Sequence, residues 1–276
     1  MSEQAKWWCG MLMAVMMGVY LGLMLPRPSA EKLPAQPEAA AAFAVQEMEV
    51  EENWFVLPSE TPAFSIEVLN AQPSQPKRVL IYHSHTYEAF EQVEGSRYQE
   101  TETWRTADSA HNMIRVGEEL SALLRALGVE VVHDTTAFEP PVLSSAYSRS
   151  LAMLEKRMAD GERYDLYIDL HRDAYVASYG GNNTVSIGGT DVAKLMMLIG
   201  KGEGVTGQGY DVKPDWEKNL VIAQAITDHL NDQAAGLCRD VHIKSGRFNQ
   251  HIASACILVE AGNNRNTLAE VLAAMP

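Results

Sequence analysis

The sequence predicts an α/β fold, a mainly parallel sheet flanked by helices, preceded by one N-terminal transmembrane helix. Two observations predict the α/β body. From Arg78 onward, short apolar runs of strand character alternate with stretches whose apolar residues recur at helical spacing. Several of those runs are apolar throughout rather than alternating, as strands covered on both faces of a parallel sheet are. A third observation predicts the membrane helix: Trp7 to Leu25 contains no charged residue, with Lys6 before it and Arg27 after it.

That run is about as long as a bilayer crossing requires. A cleaved signal peptide is the rival reading, but the apolar stretch exceeds the usual core of such peptides, and Pro-Ser-Ala at 28 to 30 is a weak cleavage site. The sequence therefore favours an uncleaved, single-pass anchor over residues 1–26. Lys6 and the free amine hold its start inside, which places the rest of the chain outside the cell membrane. Residues 27–76, rich in Pro, Ala, Glu and Gln, read as a solvated extracytoplasmic linker. The remainder, 77–276, is long enough for one domain with a full core.

Within that domain the first strand covers Arg78 to Tyr82. A helix from about Ala107 to Ala126 follows, with Leu120, Leu123, Leu124 and Leu127 as its apolar stripe, Asp108 as a cap and Gly128 as its stop. Val129 to His133 is the next strand, Ser144 to Ala159 the next helix, and Leu166 to Leu170 the next strand. Lys194 to Ile199 is an apolar run closed by Gly200. Asp215 to Leu230 is helical, Ala255 to Val259 a strand and Thr267 to Met275 a final helix. The Gly- and Asn-rich Tyr179 to Asn183 reads as a turn at the mouth of a site.

A net charge of -14 argues against a nucleic-acid surface, which needs clustered Lys and Arg. The chain has 3 cysteines. Cys9 lies in the apolar N-terminal run, and Cys238 and Cys256 lack C-x-x-C spacing, which argues against a cysteine metal site or a disulfide framework. No G-x-S-x-G elbow and no phosphate loop in strand-to-helix context occurs.

The chemistry gathers where apolar runs end. Val79 to Tyr82 delivers His83, His85 and Glu88; Tyr164 to Leu170 delivers His171; Cys256 to Val259 delivers Glu260. In an open α/β sheet, strand ends of this kind are where sites assemble. His85, Glu88 and His171 offer the nitrogen and oxygen ligands of a catalytic zinc, with His83 as an alternative ligand or a supporting partner. On a strand, His83 and His85 are two apart and project from the same face, so one ion near the strand's end could meet both. Glu260 meets a polar turn after a buried run, so burial should raise its pKa and suit it as the general base of a zinc hydrolase. Asp169 and Asp173 flank His171 as candidates to orient its ring, and Arg172 and Asn249 are assigned to substrate contact.

These segments resemble the stage II sporulation protein P family, relatives of zinc-dependent N-acetylmuramoyl-L-alanine amidases. The resemblance rests on His83-Ser84-His85-Thr86-Tyr87-Glu88, which is similar to an H-T-H-T-S-E motif, on Asp169-Leu170-His171-Arg172-Asp173-Ala174, and on Leu258-Val259-Glu260-Ala261-Gly262. It implies hydrolysis of the peptidoglycan amide between muramic acid and the stem peptide's L-alanine. It further implies Zn2+ ligands in the His/Glu motif and at His171, a catalytic role for Glu260, and a lytic transglycosylase partner during engulfment. The alternatives are a catalytically inactive wall-binding module and a zinc peptidase acting on peptide cross-links.

Overall fold

The structure, a computed structural model, describes residues 77–175, 183–203 and 211–275. The expected anchor at 1–26, the linker at 27–76 and most of the turn at 179–183 lie outside the described residues. No helix among the described residues is long and apolar enough to cross a membrane.

The elements in chain order are β1 (Arg78–Tyr82), α1 (Met113–Ala126), β2 (Glu130–His133), α2 (Ala146–Ala159) and β3 (Leu166–Asp173). They continue with β4 (Thr184–Ile187), β5 (Thr190–Ala193), β6 (Leu195–Gly200), α3 (Trp216–Gln233), β7 (Cys238–Lys244), β8 (Cys256–Asn263) and α4 (Leu268–Leu272). Six strands form one sheet in the order β2-β1-β3-β8-β6-β7, and β4 and β5 form a separate hairpin. Pairing is parallel throughout the large sheet except where β6 runs antiparallel to β8. The sheet is thus mainly parallel, as the uninterrupted apolar runs require, with the one reversal beside β8.

Side-chain alternation along β1 shows how both faces are covered. Val79 and Ile81 join Met113, Val116 and Leu124 of α1 in the larger core. Leu80 and Tyr82 point the other way, into a smaller cluster with Leu154 of α2, Tyr167 and Cys256. Burial of a side chain such as Leu80 or Leu154 contributes about 2 kcal/mol relative to exposure, which is what fixes the helices on the sheet. Cys238 and Cys256 are both buried free thiols.

Two expectations are corrected. α1 begins at Met113, not near Ala107, because Asn112 is the cap: its side-chain oxygen accepts from the Ile114 amide at 2.9 Å. Asp108 instead closes a local turn with Ala110 and His111. The hairpin β4–β5 and the strand β7 were not foreseen. β7 is half exposed and reads Cys-Arg-Asp-Val-His-Ile-Lys, so its polarity masks its pairing at the edge of the sheet.

Candidate active site

β3 and β8 are neighbours in register, and His171 on β3 lies directly opposite Glu260 on β8. β1 lies on the other side of β3, so the turn that follows β1 opens over the same strand ends. The chain leaves β1 at Tyr82 and turns at once. The Glu88 amide donates to the His85 carbonyl at 3.3 Å, and Thr86 Oγ1 donates to the His83 carbonyl at 3.0 Å. This turn carries His85 and Glu88 toward His171. The His85 and His171 ring centroids are 5.3 Å apart and perpendicular, and His171 Nδ1 is 3.5 Å from Glu88 Oε2.

His83 goes elsewhere, a correction to its reading as an alternative ligand sharing a face with His85. Because the strand has ended, two-residue parity no longer applies. The His83 ring is fully buried, with Nδ1 2.8 Å from the Leu170 carbonyl and Nε2 2.8 Å from His133 Nε2. Both nitrogens are occupied. Burial and the neighbouring His133 lower its pKa to about 3, so it is neutral.

The electrostatics centre on His171. Its Nε2 donates to Asp169 Oδ1 at 2.7 Å. Burial would lower its pKa, but the Asp169 charge and hydrogen bond, together with Glu88, raise it well above the ordinary imidazole value. Burial likewise opposes ionisation of Glu88, but hydrogen bonding and charge from His171, with Arg172, bring it down to about 2. Glu260 has no such partner: its Oε2 is buried without a hydrogen bond, and burial raises its carboxyl to about 8. Burial and the charge on His171 hold His85 at about 4, which keeps its imidazole neutral.

Asp169 is fully buried and is itself held in place. Ser84 donates to it twice, from its amide to Oδ1 at 2.8 Å and from Oγ to Oδ2 at 2.7 Å. The Ser84 hydroxyl also meets Ser150 Oγ at 2.8 Å, and Asn249 Nδ2 donates to the same Ser150 oxygen at 3.0 Å. Asn249 donates in addition to the Tyr147 carbonyl, so its side-chain amide pins α2 to the 247–249 segment.

Two other assignments are corrected. A register shift between His171 and Asp173 turns Asp173 away from the histidine, and its Oδ2 accepts from Arg239 at 2.6 Å. Arg172 clamps the long loop after β1: its side chain donates to the carbonyls of Ala89 and Trp104, while its amide donates to Glu88 Oε2 at 3.1 Å. Its guanidinium is committed to the protein's own carbonyls, and its backbone amide fixes Glu88 from behind.

Two residues that the sequence reading missed complete the site. Glu139, buried and ion-paired with Arg105, places Oε1 3.5 Å from His85 Nδ1. Tyr147 stacks its ring on His171 with centroids 6.2 Å apart and planes 11° from parallel, and meets His85 edge-on at 5.4 Å. Neither has a sequence signal: Glu139 precedes Pro140-Pro141 in a loop, and Tyr147 opens a helix among polar residues.

The donors fit a zinc ion in kind. His85 is neutral, its Nδ1 is buried without a hydrogen-bond partner, Glu88 is held ionised, and His171 is oriented by a buried carboxylate. As placed, however, no group of three or more His, Cys, Asp or Glu among the described residues is arranged to hold a metal. The physical reason is that Glu88 and His171 turn their facing atoms to each other, with the His171 charge balancing the carboxylates. A shared proton and a shared cation are alternative solutions for the same atoms.

The fold has solved neighbours among amidases. One is the N-acetylmuramyl-L-alanine amidase Ami1 from Mycobacterium smegmatis, with TM-score 0.40, 14% identity, and coverage of 73% of this chain and 92% of that one. Another is N-acetylmuramoyl-L-alanine amidase AmiC2 of Nostoc punctiforme, with TM-score 0.41, 12% identity, and coverage of 72% and 90%. A third is an N-acetylmuramoyl-L-alanine amidase from Clostridium difficile 630, with TM-score 0.40, 14% identity, and coverage of 74% and 88%. Similarities this low carry no statement about activity. No curated protein matches the sequence. The family model for stage II sporulation protein P matches residues 28–276, which takes in every residue of the candidate site; the chain belongs to the stage II sporulation protein P family.

Proposed function

We propose that this chain is a membrane-anchored, zinc-dependent peptidoglycan hydrolase of sporulation, an N-acetylmuramoyl-L-alanine amidase that faces the wall and works beside a lytic transglycosylase. The observation that carries this reading is the meeting of His85, Glu88 and His171 with a buried, unpartnered Glu260 whose pKa is raised to about 8. Family membership supplies the wall substrate and the setting.

His85, Glu88 and His171 would hold the zinc, which when bound supplies Lewis acidity toward the amide carbonyl and toward water. Glu260 takes the proton from the attacking water and returns it to the leaving nitrogen. A cation among the three donors favours the ionised form of Glu260 and so brings it into its working range as a base. Asp169 fixes the His171 tautomer by accepting its Nε2–H hydrogen bond. Tyr147 shields one face of His171 from water.

Elemental analysis of the purified protein should give about one zinc per chain, as one such site holds. His171→Ala should lose the metal and all hydrolysis. Glu260→Gln should keep the metal and lose roughly 100- to 10,000-fold in turnover, the usual contribution of a general base. Digested wall should yield new N-terminal alanine. Other new amines in its place would indicate cleavage of cross-links. Zinc absent from metal-replete protein would overturn the amidase reading and leave a wall-binding module.

A further inference from the structure

Four side chains from distant parts of the sequence form one buried hydrogen-bond chain behind His171. Asn249 is 4% exposed, and Ser150, Ser84 and Asp169 are 0% exposed. Neighbours along the chain lie 3.0, 2.8 and 2.7 Å apart, and Asp169 in turn accepts from His171 Nε2 at 2.7 Å.

The chemistry of the groups fixes the direction of each bond. The Asp169 carboxylate only accepts, so the single Ser84 hydroxyl proton goes to Asp169 Oδ2 and the Ser84 oxygen is left as an acceptor. Ser150 therefore donates to Ser84 across the 2.8 Å contact. A second acceptor for the Ser150 proton, the Tyr147 carbonyl, is farther away at 3.1 Å. That carbonyl also only accepts, so the Asn249 atom 2.9 Å from it is the amide nitrogen, whose other hydrogen goes to Ser150 Oγ. Asn249 thus acts twice on the Ser150 proton: it occupies the carbonyl that competes for it, and it donates to the oxygen that carries it. Every donor in the chain points toward Asp169, and hydrogen bonds aligned in this way strengthen one another.

The first donor stands on a fixed platform. Asn249 has φ 54° and ψ 7°, the left-handed region that asparagine enters more readily than most residues. On one side of it, the Phe248 ring packs so closely on Gly200 that a Cβ there would stand 2.6 Å from the ring. On the other side, the Gln250 side chain accepts from the Gly200 amide at 2.9 Å and donates to the Leu198 carbonyl at 2.8 Å. Both anchors are on β6, the neighbour of the strand that carries Glu260. Both amide hydrogens of Asn249 are used within the protein, which makes its role one of support.

We propose that Asn249 is a positioning residue of the candidate active site: its side-chain amide starts a one-way hydrogen-bond chain through Ser150 and Ser84 that holds the Asp169 carboxylate on His171. The proposal rests on the reading of His171 as a zinc ligand, and it extends the support of that ligand to a residue on the far side of α2.

The test is a double-mutant cycle on the full chain with Asn249→Gly, which deletes the amide and suits a positive φ, with Ser150→Ala, and with the pair. Two quantities are read. In chelator-treated protein, the proton resonance of His171 Nε2–H, identified by its loss in His171→Ala, reports the bond to Asp169. Dialysis against a metal-buffered series gives zinc affinity. In Asn249→Gly the resonance should move upfield and zinc affinity should fall roughly 2- to 10-fold, the worth of one neutral hydrogen bond. In the Ser150→Ala background, adding Asn249→Gly should change neither, because the chain is already cut. A resonance that does not move in folded Asn249→Gly overturns the proposal, as does an unchanged affinity in protein that binds zinc. Effects equally large with and without Ser150 overturn it too, since that is what a residue merely holding the fold would give. If the resonance responds as expected and the unmutated protein binds no zinc, the chain stands and the amidase reading falls. Should Asn249→Gly not fold, Asn249→Asp decides by the same readings: it keeps the shape and the left-handed backbone but has no N–H to give, so the resonance should again move upfield.

Discussion

Glu260 stands opposite His171 across the parallel register of β3 and β8, yet the two are in contrasting states: Asp169 accepts a proton from His171, while Glu260 Oε2 is buried with no hydrogen-bond partner. This asymmetry makes the metal-free fold sensitive to pH. The folded pKa of Glu260, about 8, lies above its unfolded value of roughly 4.3. Between these values the folded state holds a proton that the unfolded state has released, so stability falls as pH rises through that window. His171, also raised, acts in the same direction above its unfolded pKa. His83, His85, His133 and His251, with pKa values lowered by burial to about 3 to 4, act in the opposite direction below pH 6.5, so the contribution of Glu260 is read as a difference between proteins. In thermal melts of chelator-treated protein from pH 5 to pH 8, Glu260→Gln should gain stability relative to the unmutated protein as pH rises, by an amount on the order of a few kcal/mol. A difference that does not change with pH would show that Glu260 does not titrate there.

The same protonation states govern metal uptake. If zinc replaces the charge that His171 carries, binding must expel the His171 proton at Nδ1 and promote ionisation of Glu260. Titrations with zinc at pH 7 in buffers of differing ionisation heat should report net proton release, and affinity should rise with pH. Binding with no proton exchange would place the metal elsewhere.

Asp169 has no contact with solvent and accepts from Ser84 and His171 together. Asp169→Asn keeps the size of the side chain but removes the charge that orients His171. Zinc affinity should fall roughly 10- to 100-fold, the usual cost of losing such a partner. Ser84 and Ser150 hold Asp169 from behind, so Ser150→Ala should produce a smaller loss in the same direction. Dialysis against a metal-buffered series measures both, and unchanged affinity in Asp169→Asn would exclude its orienting role.

The sequence made the strand ends legible because β1, β3 and β8 are buried on both sides and so read as apolar runs closing on polar residues. Those strand ends point His85, Glu88, His171 and Glu260 toward one place. The errors arose where the regular period breaks. His83 was misjudged because the strand stops at Tyr82, and Asp173 because the register with β8 shifts after His171. Arg172 looked available to substrate, but carbonyls from a loop far along the chain claim its guanidinium. Tyr147 and Glu139 reach the site only through tertiary packing, which no local pattern records.

Gly117 offers a test of the packing behind the site. It lies inside α1, where replacing glycine by alanine ordinarily stabilises a helix by about 1 kcal/mol. Here a Cβ would stand 2.4 Å from His133 Nε2 and 2.7 Å from His83 Nε2. The imidazole pair cannot easily yield, because His83 is fully buried and bonded to the Leu170 carbonyl on the strand that carries His171. Gly117→Ala should therefore destabilise the protein by about 1–3 kcal/mol, the usual cost of overpacking, and reverse the sign that helix propensity alone predicts. Chemical denaturation of the variant measures this directly. A neutral or stabilised protein would mean that the His83–His133 pair shifts freely, and that the tight packing of α1 against it is not what fixes the Leu170 end of β3.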